Sequence, residues 1–390
     1  MSDFDVIVVG AGPGGSNAVA VALRAGLRVA QIEAARFPRV KPCAGGVTVK
    51  AANALQLSLD RSVLRAFHGI EFNLWRQRTN RFGHRDRLLH MVSRPEFDHD
   101  LVRQNLRSSS FTFIDRCRVR DATYDGRFAV RTDRGHFTSL QLIGADGAQS
   151  LVNRIFRVSS PRALATAIEL NLPLPDAGAR FDTPCLDYGA VERGYGWVFP
   201  KGDHCCVGLY TLTARIRGIR DRLIDYLRSK GIDVPSASLA DLQSARLPVG
   251  GFRLRVPPCP VYVVGDAGGF ADALTGEGIY AALESGRLAG ETAADVACGR
   301  ATHRAYYRRL WGTVLCDTAA TYLAAGPFYR RVDRGIRLLQ QPVVWRALVQ
   351  GEASGATVSG SCLKSPWLIP QSIGFSRRRS VRLQGDLESG

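Results

Sequence analysis

The chain has 390 residues and a formal net charge of +17, from 52 basic against 35 acidic side chains; five of the 52 are lysine, so arginine supplies the other 47. That length accommodates two or three packed layers or domains and excludes a small module stapled by disulfides or metal. The basic excess fits a solvated arginine-rich face, or attraction to anionic lipid or a diphosphate head group; nucleic acid is disfavoured, because no recognised module accompanies the charge and the aromatics do not interleave with it.

Residues 5–9, DVIVV, read as a buried parallel strand, followed by Gly10, Gly12 and Gly15 at G-x-G-x-x-G spacing and an Ala/Val-rich helix over 15–25. Gly10 permits a tight turn, Gly12 lets a pyrophosphate approach the backbone, and Gly15 lets helix and strand pack closely. The helix N-terminus then offers N–H groups and partial positive charge to phosphates. A second strand, 28–33, ends in Glu33, where the fold places a carboxylate for ribose hydroxyls. Further on, Tyr195, Trp197 and Phe199 alternate along a strand and so share one face. They form either an apolar slot or an ordinary core stripe.

A second glycine-and-acid fingerprint, VYVVGDAGGFADALTGEGI, occupies 261–279. Asp266 ends its strand, where a carboxylate can accept hydrogen bonds from sugar-alcohol hydroxyls, and a helix over about 279–298 follows. Asp272 and Glu277 flank the loop, where they either relay protons or, the favoured reading, hold the loop and the helix start. Two such fingerprints more than two hundred residues apart imply FAD rather than a generic dinucleotide. From 301 the pattern turns helical, with apolar spacing through Trp311, Leu315, Tyr322 and Leu323, then Val343, Val344, Trp345 and Leu348; 351–390 reads as a basic, loosely attached tail.

Nine cysteines without C-x-x-C pairing fit reduced thiols, and the seven histidines lack ligand spacing, so no metal is expected. Cys205 and Cys206, adjacent on a strand, face opposite sides. No run of about eighteen apolar residues occurs and the amino terminus is a strand, so the expectation is a cytoplasmic protein whose basic surface touches membranes peripherally.

Four further segments carry a resemblance. PRVKPCAGGV at 38–47, RPEFD at 94–98, GADGAQS at 144–150 and YGWVFPKGDHCCVG at 195–208 are similar to segments of glutathione-reductase-type FAD proteins of the aromatic-hydroxylase branch, and most of all to the geranylgeranyl reductase family. The resemblance covers 1 to about 300. Two departures stand out: Ala44 replaces a glycine beside the flavin, and Ala273 replaces a proline in the second flavin motif.

The resemblance implies an α/β fold: a Rossmann-like FAD-binding domain (1–70, 90–160 and 256–300), an inserted β-rich substrate domain (71–89 and 161–255) and C-terminal helices (301–350). It implies cofactor contacts from Gly10, Gly12, Pro13, Gly14, Gly15, Glu33, Ala34, Cys43, Ala44, Arg94, Gly147, Asp266, Gly276, Gly278 and Ile279. Cys43, Tyr195 and Trp197 are the catalytic candidates, with Cys43 either a proton donor or a small residue packed on the ring. Tyr195, Trp197, Phe199, Pro200 and His204 are the substrate-binding candidates. The implied activity is reduction of carbon–carbon double bonds in an apolar, prenyl or polycyclic molecule, with NAD(P)H or another donor as reductant. Oxygenation of an aromatic or polycyclic substrate is the alternative on the same fold, flavin halogenation a weaker one, and a non-catalytic flavin-bound carrier lies outside both.

Overall fold

A computed structural model describes residues 3–83, 87–173, 181–232 and 236–339. The strands in chain order are β1 (Phe4–Val9), β2 (Val29–Ile32), β3 (Gly46–Thr48), β4 (Val63–Phe67), β5 (Gly69–Leu74), β6 (Gln77–Gly83), β7 (Leu89–Val92), β8 (Phe111–Ile114), β9 (Val119–Tyr124), β10 (Phe128–Thr132), β11 (Gly135–Gly144), β12 (Ala163–Pro173), β13 (Cys185–Tyr188), β14 (Gly194–Pro200), β15 (His204–Thr211), β16 (Gln243–Val249) and β17 (Val261–Val263). The helices are α1 (Pro13–Arg24), α2 (Val49–Ala54), α3 (Arg94–Asn105), α4 (Leu151–Phe156), α5 (Ile219–Ser229), α6 (Ile279–Ala297), α7 (Arg304–Leu310), α8 (Cys316–Arg330) and α9 (Val332–Leu339).

One seven-stranded sheet runs β8-β2-β1-β11-β10-β9, with β17 pairing on β11. Its central pairs, β8-β2, β2-β1, β1-β11 and β11-β17, are parallel, as strands joined by helical crossovers must be. Val6 to Val9, Val29, Ala30 and Ile32 are buried, in keeping with a sheet covered on both faces. Helix α1 begins with Pro13, a residue suited to that position because its missing N–H would have no helical acceptor there.

Helices α1 and α6 touch backbone to backbone. A Cβ on Gly286 would lie 2.2 Å from the Gly14 carbonyl oxygen, one on Gly14 would lie 2.6 Å from that of Ala282, and one on Gly290 2.7 Å from that of Ala18. Real side chains do not fit at these separations, so the two helices, which carry the two fingerprints, pack this closely only through glycine.

A second seven-stranded sheet, β16-β12-β15-β14-β13-β5-β6, is antiparallel except for the β13-β5 pair. One face presents Tyr188, Tyr195, Trp197, Cys206 and Tyr210; the other presents Val198, Cys205, Val207 and Leu209 to Leu223, Tyr226 and Leu227 of α5. Cys205 and Cys206 thus face opposite ways. Buried Asp187 anchors α5 and its C-terminal end to the sheet, accepting from Tyr226 Oη at 2.5 Å and from Lys230 Nζ and Asn73 Nδ2 at 2.8 and 3.2 Å. A small sheet, β3-β7-β4, completes the strands.

The C-terminal helices dock on β17, where Tyr306 and Tyr307 donate to the carbonyls of Val263 and Val261, each at 2.5 Å. Here the sequence-based phase needs correction. Trp311 and Leu323, expected on the buried stripe, are 53% and 69% exposed, while Tyr306, Leu310, Val314, Thr318, Ala325 and Phe328 face inward. The inward stripe keeps the helical period, in steps of three and four from Leu310 through Val314, Thr318, Thr321 and Ala325 to Phe328, and Trp311 and Leu323 lie to one side of it while Leu315, on the expected stripe, is buried. The stripe at 343–348 and the tail at 351–390 lie outside the described residues. Among the described residues no helix is long and apolar enough to cross a membrane, and no group of acids, histidines and cysteines could hold a metal.

The helix contact yields a test. Gly286→Ala is expected to cost about 1–3 kcal/mol through overpacking and to lower the melting temperature by several degrees. Gly312→Ala, on an exposed helical face with nothing within 4 Å, leaves melting unchanged or slightly raised. Thermal scans of both variants read the difference.

Candidate functional site

A cavity of about 2120 Å³ separates the two large sheets, and both fingerprints, the 39–46 segment and the inner face of the second sheet line it. That volume exceeds the roughly 300–1,000 Å³ of an ordinary small-molecule pocket, so an extended coenzyme and a second molecule can share it. Its walls include every cofactor-binding candidate: Gly10, Gly12, Pro13, Gly14, Gly15, Glu33, Ala34, Cys43, Ala44, Arg94, Gly147, Asp266, Gly276, Gly278 and Ile279. Tyr195, Trp197 and Phe199 also line it; Pro200 and His204 do not. His204 sits at the hairpin end of β15, where its Nδ1 lies 2.7 Å from Asp203 Oδ1. The expected substrate contacts of these two residues are therefore not brought together with the other three.

The chain's local geometry fits FAD. The residues that precede α1 and α6, Gly12 and Gly278, carry no side chain, and although Glu277 takes the Tyr280 N–H of α6, both helix N-termini border the same cavity with their positive ends, as a pyrophosphate and an electron-rich ring would require. Glu33 steadies the first loop by accepting from Ala11 N–H and Ala35 N–H, each at 2.9 Å. Asp266 Oδ2 stands 3.4 Å from Lys41 Nζ and borders the cavity. Asp146, in GADGAQS, is committed to structure: it accepts from Ser150 Oγ, Leu151 N–H and Val152 N–H at 2.5, 2.7 and 3.1 Å and caps α4.

A chain of charges crosses this wall. Arg39 lies 3.5 Å from Glu33 Oε2 and 3.1 Å from Asp98 Oδ2, and Asp98 receives a two-pronged bond from Arg94 Nε and Nη2 at 2.9 and 2.8 Å. Burial works against the Arg94 charge, but the Asp98 carboxylate more than offsets it and holds the guanidinium protonated. Sequence reading picked Arg94 but missed Arg39 and Asp98, although Arg94 and Asp98 are spaced i, i+4 on α3.

Three tyrosine hydroxyls clamp the second flavin motif. Tyr210 Oη donates to the Ala273 carbonyl at 3.0 Å, Tyr329 Oη to Leu274 at 2.6 Å, and Tyr195 Oη to Thr275. Asp272 Oδ1 accepts from the N–H groups of Leu274 and Thr275 at 2.7 and 2.8 Å, and Glu277 Oε1 accepts from Tyr280 N–H at 2.6 Å at the start of α6. Burial pushes the Glu277 carboxyl up to about 7, with Asp272 adding to the rise and Lys50 opposing it.

No protein-family model matches the chain. It is 31% identical over 366 residues to an uncharacterised protein of Methanosarcina barkeri, covering 93% of this chain and 94% of that one. It is 34% identical over 322 residues to a menaquinone reductase of Mycolicibacterium smegmatis, covering 74% and 75%, and 29% identical over 317 residues to a digeranylgeranylglycerophospholipid reductase of Methanocella arvoryzae, covering 75% and 78%. Among solved structures it resembles a geranylgeranyl bacteriochlorophyll reductase-like protein of Thermoplasma acidophilum, with a TM-score of 0.74 at 17% identity over 94% of this chain and 98% of that one. A probable FAD-dependent monooxygenase of Pseudomonas aeruginosa aligns with a TM-score of 0.66 at 17% identity, over 86% and 98%. Those likenesses establish the FAD-binding fold.

The elevated Glu277 group fixes the sign of a pH effect. Its ordinary value is 4.5 and its folded value about 7, so the folded state holds more protons between these limits and loses stability as pH rises through them. Glu277→Gln is expected to melt a few degrees above the parent at pH 8, with the difference vanishing below pH ~4.5 as both states of the parent become protonated. Melting curves across that range check it.

Proposed function

The chain belongs to the geranylgeranyl reductase family of FAD-dependent oxidoreductases, and we propose that it reduces carbon–carbon double bonds in the isoprenoid chain of a lipid or quinone. The observation that supports this reading is the position of Tyr195, Trp197 and Phe199 on the wall of the same cavity that Cys43 and both fingerprints line. Bound FAD supplies a hydride to one alkene carbon, having been reduced by NAD(P)H or another donor.

The protein's own contribution is position, dryness and a proton. An isolated alkene accepts hydride poorly, so the second carbon must be protonated as the first is attacked. Cys43 is the proton donor in this reading: it is partly exposed, it borders the cavity, and its Sγ accepts from Gly45 N–H at 3.4 Å. The aromatic wall holds the chain by apolar contact, excludes water and shelters developing positive charge on carbon. Ala44 places a methyl beside Cys43 and packs on the same aromatic cluster. An apolar substrate would enter from a lipid surface, and the +17 net charge favours an anionic one.

The test is a single turnover without oxygen. Protein loaded with FAD and reduced by dithionite is mixed with menaquinone or a geranylgeranylated glycerolipid, and the product is weighed by mass spectrometry. Gain of two hydrogens per flavin oxidised is expected; a product formed only when oxygen is admitted, and heavier by one oxygen atom, overturns the reading in favour of oxygenation. Cys43→Ala is expected to slow the step by about 10²-fold while retaining FAD.

A further inference from the structure

One acid on the cavity wall has no role in the reading above. Glu169 lies on β12, only 4% exposed, and alternation puts it on the face of Ala165 and Ala167, which looks into the cavity, rather than that of Ile168 and Leu170. Its Oε1 accepts from Cys43 N–H at 2.7 Å, and its Oε2 lies 3.8 Å from Cys206 Sγ. A buried carboxylate here costs solvation, and an ordinary strand would carry an apolar residue instead.

The surroundings of Cys43 explain what the acid offsets. Arg94, from α3, is buried and lines the same cavity as Cys43. Lys201, at the end of β14, is 5% exposed; a Cβ on Gly45, two residues from Cys43, would stand 2.9 Å from its Nζ. Gly45 has φ +73 and its Cβ would meet the Val92 carbonyl at 2.2 Å, so the loop can adopt this path only with glycine there. Two buried cations on one side of the loop leave positive charge there that needs a partner. Of the remaining ionisable neighbours, Cys206 from β15 and Tyr195 from β14 are buried and held neutral by burial. Glu169 supplies the opposing charge and, through the same carboxylate, the acceptor that fixes the Cys43 backbone. Burial pushes its own carboxyl up, while Cys43 N–H, Lys201, Cys206 and Arg94 pull it back toward ionisation.

We propose that Glu169 is the positioning residue for Cys43: it pins the loop through the Cys43 N–H and sets its charge against those of Arg94 and Lys201 around that loop. The inference rests on the assignment of Cys43 as proton donor for its purpose, but its test does not.

The experiment measures alkylation of Cys43 by iodoacetamide at pH 7.5 in the FAD-loaded protein, mapped by mass spectrometry, with exposed Cys298 as the internal reference. Glu169→Gln keeps an oxygen for the Cys43 N–H but removes the charge. Loss of a like charge within a few ångströms is expected to raise the thiolate fraction, and the alkylation rate, about tenfold, with Cys298 unchanged. Lys201→Gln is expected to move the Cys43 rate the other way, so the pair of variants separates charge balance from loosening of the fold, which would speed both. Equal Cys43 rates in parent and Glu169→Gln overturn the inference whatever turnover does. Normal turnover by Cys43→Ala removes the proton-donor reading but leaves the alkylation result standing.

Discussion

The arrangement depends on two helices meeting where no side chain stands between them. Gly14 on α1 and Gly286 and Gly290 on α6 bring into contact segments that are some 270 residues apart in the chain, and that contact places the first loop, with Glu33, opposite the second, with Asp266. Close packing makes the placement stiff: interiors resist compression, and a one-methyl intrusion at Gly286 would have to move a helix rather than a rotamer. The cofactor cradle is therefore a property of the helix pair, and each fingerprint alone is only half of it.

From that cradle an alternating chain of charges leads toward the reactive end of the cavity. Glu33, Arg39, Asp98 and Arg94 follow one another at ion-pair distances, and on the same cavity wall Glu169 takes the Cys43 N–H and closes the series. Each member is at least partly desolvated, so each would be costly without its neighbours, and removing one would leave a buried charge exposed to no compensation. This coupling ties the nucleotide end to the substrate end without any moving part. It also gives the 39–46 loop its fixed path, since the backbone of that loop is held at Cys43 by the carboxylate and at Gly45 by the Val92 N–H to Gly45 carbonyl bond of 2.8 Å.

Much of this was legible in the sequence because it depends on local chemistry. Gly10, Gly12, Gly15 and Glu33 announce a nucleotide loop through spacing alone, and Tyr195, Trp197 and Phe199 share a face because strands alternate. What escaped depends on contacts between distant segments. Asp98 is an unremarkable helix acid until α3 is laid beside Arg39, and Glu169 looks like a strand-surface carboxylate until β12 is seen with its apolar neighbours turned inward on both sides. A carboxylate inside ATAIELNL was a readable anomaly, but nothing local named its partner. The phase of the C-terminal helices failed for a different reason: Trp311 and Leu323 are apolar but exposed, and buried Thr318 and Thr321 on the inward stripe are polar, so counting apolar residues alone chose the wrong face. Asp146, the acid of the GADGAQS segment, likewise shows its part only in three dimensions, where its oxygens cap α4.

The tyrosine clamp on residues 273–275 bears on the replacement of proline by Ala273. Proline restricts φ and lacks an N–H donor, so it stiffens a loop without help from elsewhere. Alanine does neither, and here stiffness comes instead from outside the loop: Tyr210, Tyr329 and Tyr195 each bond one of three consecutive carbonyls, while Asp272 takes two N–H groups from the opposite side. The clamp has a consequence for the cavity. Tyr195 and Tyr210 come from the second sheet and Tyr329 from α8, so the loop bordering the coenzyme is positioned by the same elements that wall the substrate space. A change in aromatic packing on that wall would shift the loop directly, which makes substrate fit and coenzyme environment two readouts of one rigid cluster rather than separate properties.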